Sequence, residues 1–258
     1  MMLQDKVVVI SGVGPGLGRA VAVGSARAGA DVVLAARSGA VLEEVAAEVT
    51  EAGRKAVVVP ADITDPAAAN QLAKSALSAF GRVDVLINNA FAVPPMLALT
   101  EVEPAAVHTE MDTDVFGALR LTQLLADELA AAGGSIVMVS SIAARLSQAG
   151  FGAYKMTKSA LIAMAQTLAS ELGPRGVRVN VVVPGSIWAD PLRKYYDFLA
   201  GERGVTTAQV YEETAAGLDL RRLPEAAEVA NAVMFLASDL ARAITGQCLD
   251  VNGGEYHH

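Results

Sequence analysis

The chain has 258 residues, 53% of them hydrophobic and 19% charged, which suits one globular domain with a large core. A net charge of −8 and a pI near 4.9 repel a polyanion, so nucleic acid is not an expected partner. No apolar run approaches the roughly 18 residues of a membrane span, and the single cysteine, Cys248, excludes an internal disulfide and fits a reducing cytoplasm.

The first predicted strand, Lys6–Ser11, is nearly unbroken and β-branched, as a strand buried on both faces should be. Its apolar stretch is too short for the core of a signal peptide. Gly12, Gly14, Pro15, Gly16, Leu17 and Gly18 follow, opening a helix predicted over Leu17–Ala28. Glycines here permit a tight turn and let backbone N–H groups approach a pyrophosphate at the helix N-terminus. A glycine triplet alone is weak, but the strand before it and the helix after it supply the required context. The second strand, Val32–Ala36, runs into Arg37-Ser38. That slot holds an acid when a ribose 2′-hydroxyl is bound, and none is present. Asp31 is acidic but stands at the other end of the strand, roughly 15 Å away at 3.3 Å per residue. Arg37 offers a fork suited to a 2′-phosphate, so NADP(H) is favoured over NAD(H). Its alternative role is a solvated surface arginine.

Helix Ala40–Ala52, strand Ala56–Pro60, helix Pro66–Phe80 and strand Val83–Ile87 come next. Gly29, Gly53 and Gly81 stand where helices should stop, and Asp65-Pro66 reads as an N-cap and first helical residue. Asp62-Ile63 follows the third strand and Asn88-Asn89-Ala90 the fourth. Phe91, Pro94, Pro95 and Met96 then place apolar bulk at the carboxyl edge, where ligands of such sheets bind. One long helix is predicted over Pro104–Ala131, then strand Ser135–Ser140 and helix Ala153–Leu172.

Tyr154 and Lys158, four apart on that helix, share a face; Lys155 points elsewhere. A phenol titrates near 10, and an adjacent ammonium favours the phenolate. A phenol acting as a base near neutrality must drop by roughly three units, about 4 kcal/mol of differential stabilisation. Ser141 lies thirteen positions before Tyr154, with Leu146 and Phe151 between them. Strand Val177–Val183 is followed by Pro184-Gly185. Residues 186–217 then break the strand–helix alternation and carry Trp188, Tyr195, Tyr196, Phe198 and Tyr211, five of the twelve aromatics. They are expected in two short helices that pack on the body and also close as an apolar lid over a substrate. Helix Glu225–Leu236 and strand Gln247–Val251 complete the chain. Strict alternation implies an α/β fold, a doubly wound seven-stranded parallel sheet with helices on both faces, in a single domain over 1–258. Cys248 reads as a small buried apolar residue. The histidines, at 108, 257 and 258, build no metal-ligand cluster, and the last two are open to a native or a tag origin.

Taken jointly, these motifs resemble the short-chain dehydrogenase/reductase family in its common single-domain form. The resemblance is carried by Gly12-x-x-x-Gly16-x-Gly18, Asp62-Ile63, Asn88-Asn89-Ala90, Ser141, Tyr154, Lys158 and Pro184-Gly185, through nearly the whole chain. It implies a Rossmann-type fold and hydride transfer between nicotinamide C4 and a carbonyl or secondary alcohol carbon. Tyr154 would be the acid in reduction and the base in oxidation. Lys158 would lower the tyrosine's pKa and bind the nicotinamide ribose hydroxyls, and Ser141 would hydrogen-bond the substrate oxygen. Ala90 and Ile187 are expected beside the cofactor, and Phe91, Phe151, Trp188 and Tyr195 beside an apolar substrate. The family pairs through its long fourth and fifth helices, implying a homotetramer; Ala126, Ala130, Ala163, Ala165 and Ala169 are small enough for close helix packing.

Three positions depart from the family. Its catalytic asparagine is Asp114 here, Phe91 replaces the glycine of N-N-A-G, and Ala189 replaces a threonine that often holds the nicotinamide amide. Asp keeps the acceptor oxygen of Asn and loses the amide donor. Asp114 would hold a water linking Lys158 to solvent, and its charge can pair with Lys158 and weaken that lysine's effect on Tyr154. Activity is expected to survive with a shifted pH profile. The enoyl-reductase variant spaces its Tyr and Lys seven apart, a position filled here by Leu161. Two rival readings remain. A non-catalytic dinucleotide sensor would not need Ser141, Tyr154 and Lys158 together. A carrier-linked 3-ketoacyl reductase would need a basic patch, for which Arg145, Arg193 and Lys194 are the candidates.

Overall fold

Seven short β-branched runs form the strands: β1 (Val7–Ser11), β2 (Asp31–Ala36), β3 (Ala56–Pro60), β4 (Val85–Asn88), β5 (Ser135–Val139), β6 (Arg178–Pro184) and β7 (Cys248–Val251). The computed structural model describes residues 1–93 and 95–257; Pro94 and His258 lie outside the described residues. All strand pairs are parallel, in the order β3-β2-β1-β4-β5-β6-β7. The winding reverses between β1 and β4, and a crevice opens at the carboxyl ends of such a switch point.

Helices cover both faces: α1 (Leu17–Arg27), α2 (Gly39–Glu51), α3 (Pro66–Phe80), α4 (Pro104–Met111), α5 (Gly117–Ala132), α6 (Gly152–Leu172), α7 (Asp190–Arg203), α8 (Thr207–Ala216) and α9 (Ala226–Ala237). Successive strand residues feed opposite layers. Val9, Val33, Leu86, Ile136 and Val181 pack with α3, α5 and α6. Val8, Val32, Leu34, Ile87 and Val182 pack with α1, α2 and α9. The expected stops hold: Asp65 caps α3 by accepting the Ala67 N–H, with Pro66 at its first position, and Gly81 closes it at φ 70°. Cys248 is half-buried against the core, and burial pushes its thiol pKa up.

Several expectations need correction. The fourth strand begins at Val85 rather than Val83; buried Asp84, just before it, still bonds Val7 and Ser135 through its backbone. Its carboxylate accepts the Val7 N–H at 2.9 Å and Arg82 Nε at 3.0 Å. The long helix predicted over Pro104–Ala131 is broken by a π-turn at Asp112–Phe116 between α4 and α5. Such a turn inserts one extra residue and turns the side chains after it about the axis. Ala165 and Ala169 face the sheet inside their own core and are not interface residues, whereas Ala163 is exposed.

Residues 186–217 contain the two expected helices, α7 and α8, around a third apolar cluster. Trp188 lies 4.7 Å from Tyr211 and 5.7 Å from Tyr196 between ring centroids. Tyr196 is buried and bonds Thr214 Oγ1 at 3.0 Å. These three rings therefore hold α7 to α8. Tyr195 and Phe198 turn outward, Phe198 with 62% of its surface exposed.

Candidate active site

The carboxyl ends of β1, β2, β3 and β4 surround a cavity of about 420 Å³, lined by Gly12, Gly14, Arg37, Asp62, Ala90 and Phe91 among others. The glycines divide the work. Gly12 has φ +83°, and a Cβ on it would fall 2.3 Å from the Ala90 nitrogen. A Cβ on Gly18 would fall 2.3 Å from the Gly12 carbonyl oxygen. These two residues close the turn. A Cβ on Gly14 would meet nothing within 4 Å, and one on Gly16 only Ala189 and Pro191 at 3.7 Å. These two keep the backbone open. Pro15 is exposed at the tip, and Leu17 packs partly into the core.

No side chain caps α1, and no acid lies in its first turn. Free N–H donors and the positive helix end favour an anion at that point. The loop therefore fits the pyrophosphate of a dinucleotide. Arg37 and Ser38 are exposed just beyond β2, with Arg37 on the cavity wall. Asp31, at the far end of β2, accepts from Arg54 Nε at 3.0 Å and the Lys55 N–H at 2.9 Å. Asp62 accepts from the Thr64 N–H and hydroxyl, and these bonds hold its carboxyl below the usual range. Ile63 is buried, and its carbonyl accepts from Arg120 at 2.6 Å.

Asn88 turns inward, with its amide nitrogen 3.3 Å from the Met138 sulfur. Its neighbour Asn89 lines the cavity instead and donates to the Gly12 carbonyl at 2.6 Å. Asn89 thus ties β4 to the glycine loop, a role hidden in the repeated asparagine. Pro184, Gly185 and Ile187 stand at the end of β6, two strands farther along, with Ile187 packed towards the α1 layer.

The second half of the site is built around Lys158, only 3% of whose side chain is exposed. Its Nζ lies 2.8 Å from Asp114 Oδ2 and 3.3 Å from the Val139 carbonyl. It also sits 5.6 Å from the Tyr154 ring centroid and 5.9 Å from that of Phe91. Burial pushes its pKa down, but Tyr154, Asp114 and Glu110 outweigh this and hold the ammonium above its ordinary value. Asp114 Oδ1 accepts the Ala92 N–H at 2.8 Å, so the π-turn aspartate bridges α6 and the loop after β4. Ser141 Oγ accepts the Ala143 N–H at 3.2 Å, which leaves its hydroxyl proton to donate. Phe151 stands at the head of α6.

Sequence reasoning missed Glu110. It is 2% exposed, takes a 3.4 Å bond from Thr157 Oγ1, and has one oxygen, Oε1, without a hydrogen-bond partner. Burial first, then Asp114, pushes its carboxyl pKa up. Its position four residues before Asp114 was a readable signal.

A model described as enoyl-(acyl carrier protein) reductase matches residues 12–256. The chain belongs to the short-chain dehydrogenase/reductase family. It is 34% identical to an L-rhamnose 1-dehydrogenase (NAD(P)(+)) of Sphingomonas, over 99% of this chain and 98% of that one. A solved L-sorbose reductase of Gluconobacter frateurii, complexed with NADPH and L-sorbose, superposes with a TM-score of 0.93 at 30% identity, covering 99% and 98%. A 7α-hydroxysteroid dehydrogenase complexed with NADH and 7-oxo glycochenodeoxycholic acid gives 0.88 at 31% identity, covering 98% and 94%. The protein is thus an oxidoreductase of this family.

Removing the Asp114 carboxylate leaves the Lys158 charge buried and unpaired. Asp114→Ala should destabilise the fold by about 3–5 kcal/mol in urea unfolding. Asp114→Asn should cost clearly less, because it keeps an acceptor for the Ala92 N–H.

Proposed function

We propose that this short-chain dehydrogenase/reductase prefers NADP(H) and interconverts apolar ketones and secondary alcohols. The observation that carries the chemistry is the buried, charged Lys158 at 5.6 Å from the Tyr154 ring. When bound, the nicotinamide supplies or accepts the hydride. Tyr154 gives a proton to the substrate oxygen in reduction and takes it back in oxidation. Ser141 donates a hydrogen bond to that oxygen. Lys158 stabilises the phenolate left on Tyr154. Gly14, Gly16 and the start of α1 would hold the pyrophosphate, and Arg37 the 2′-phosphate.

The NADP(H) preference is supported by the absence of an acid at the end of β2 and by the engagement of Asp31 elsewhere. Relatives use either nicotinamide, so the preference rests on Arg37. The apolar substrate is supported by the wall after β4, where Phe91 and Val93 are 53% and 81% exposed and Met96, Leu97 and Leu99 are also exposed. A polyol hydroxyl buried there without a partner would cost about 1–3 kcal/mol. Tyr195 and Phe198, exposed on α7, would extend this wall if residues 186–217 close as a lid. Of the basic residues that a carrier-linked reading needs, Arg145 pairs with Asp250 at 3.5 Å and Arg193 stacks 5.0 Å above Trp188, while Lys194 is exposed.

We place the protein in the cytoplasm as a homotetramer paired through the outer faces of α5 and α6. Ala163 and Phe116, whose ring is exposed at the start of α5, support this. Light scattering at micromolar concentration should report four subunits, and a monomer would defeat the assignment.

Two substitutions test the chemistry. In an absorbance screen of ketones and alcohols with both nicotinamides, cyclic and aromatic compounds should exceed sugars in kcat/KM. Tyr154→Phe should abolish that turnover while cofactor binding persists, because no proton can be exchanged with the substrate. Wild-type turnover by the variant would refute the mechanism. Arg37→Asp should shift preference towards NAD(H), by removing a phosphate partner and adding a carboxylate near the 2′ position. Unchanged discrimination would make Arg37 an ordinary surface residue.

A further inference from the structure

We propose that Glu110 is a positioning residue for the Tyr154–Lys158 couple, a buried acid that sets how much Lys158 charge is left to act on Tyr154. The proposal deepens the oxidoreductase reading and rests on it. Asp114, Glu110 and Lys158 are all at most 3% exposed. One ammonium cannot neutralise two carboxylates in such a place.

Geometry decides which carboxyl group keeps its proton. Asp114 has Lys158 at 2.8 Å on one oxygen and the Ala92 N–H at 2.8 Å on the other. Glu110 has the Thr157 hydroxyl at 3.4 Å and an unpartnered Oε1. Asp114 is therefore the carboxylate that Lys158 pairs with, and Glu110 is the poorly partnered carboxyl group of the cluster. Burial and the neighbouring Asp114 both hold the Glu110 proton on beyond the ordinary carboxylate range.

The groups facing Glu110 come from two elements. Asp114 faces it from the π-turn, and Thr157 and Lys158 face it from α6. Tyr154 bears on Lys158, which in turn bears on Glu110. His108, on the same helix, is exposed. The loop residues Phe91, Ala92 and Val93 bring no titratable side chain.

As pH rises, Glu110 releases its proton to solvent and becomes a second carboxylate near Lys158. Its attraction for the ammonium then opposes that of the Tyr154 phenolate. Alcohol oxidation needs that phenolate to accept the substrate proton, so the wild-type rate gains less from alkaline pH than it otherwise would.

Glu110→Gln is a permanently neutral mimic of the protonated acid. The ratio of its kcat for alcohol oxidation to that of the wild type should be near one on the acid side of the Glu110 titration. It should rise several-fold as pH passes through the Glu110 titration. Thr157→Val removes the bond that favours the carboxylate, so an inflection in its own profile should lie at higher pH than in the wild type. A ratio that stays flat with pH overturns the proposal, since a merely structural loss would lower kcat alike at every pH.

Thermal unfolding gives a readout that needs no substrate. The folded pKa of Glu110 is raised, so its contribution to stability is full below the unfolded pKa and is lost as pH rises through the folded one. The wild-type melting temperature should fall relative to that of Glu110→Gln across this window. Parallel melting curves overturn the proposal. Diverging curves in a protein that turns over no alcohol or ketone sink the oxidoreductase reading and the role built on it, while the titration itself stands.

Discussion

The buried ion pair between Lys158 and Asp114 is the constraint on which the catalytic half of the molecule depends. An ammonium removed from water costs several kcal/mol unless partners surround it. Lys158 finds them in Asp114, the Val139 carbonyl and the Tyr154 ring, which belong to the π-turn, β5 and its own helix. Asp114 is available because the helix carrying it widens at Asp112–Phe116. The turn ends at Gly117, where a Cβ would come within 2.8 Å of Ile63. The second oxygen of Asp114 holds the Ala92 N–H and so positions the loop that carries Phe91. One carboxylate thereby joins the tyrosine helix to the loop after β4.

The cofactor half is organised by backbone rather than charge. Gly12 and Gly18 bring the first turn close against Ala90 and against itself, while Gly14 and Gly16 keep it open. The Asn89 amide locks the arrangement to β4. Phe91 belongs to both halves, lining the cavity and lying 5.9 Å from the Lys158 ammonium. Its exposed ring stands where the family has a hydrogen, so it is placed to shape both substrate fit and the setting of the lysine.

The aspartate that replaces the family asparagine changes the electrostatics of the site. A neutral amide would leave Lys158 to Tyr154 and its other partners. A carboxylate competes for the same ammonium, and a second carboxyl group, Glu110, shares the pocket. Asp114 and Glu110 thus both act on the charge of Lys158, which lies beside the Tyr154 ring.

Strand and helix periodicity, the glycine loop and the Tyr154–Lys158 spacing were legible without coordinates, because each is a local signal within a few residues. They determined the doubly wound parallel sheet, and they singled out the glycine loop and the Tyr154–Lys158 helix as the candidate site. The sequence also showed that Asp114 is able to pair with Lys158. It did not show that a π-turn would aim it there, since no proline or glycine pair marks Asp112–Phe116. Nor did it reveal that Glu110 is buried, that Ala165 and Ala169 face inward, or that Trp188, Tyr196 and Tyr211 pack upon one another. Each of these depends on which face of a helix meets which neighbour. Tertiary packing decided them, because the partners of a buried charge or ring lie far along the chain and only the folded layers bring them within contact.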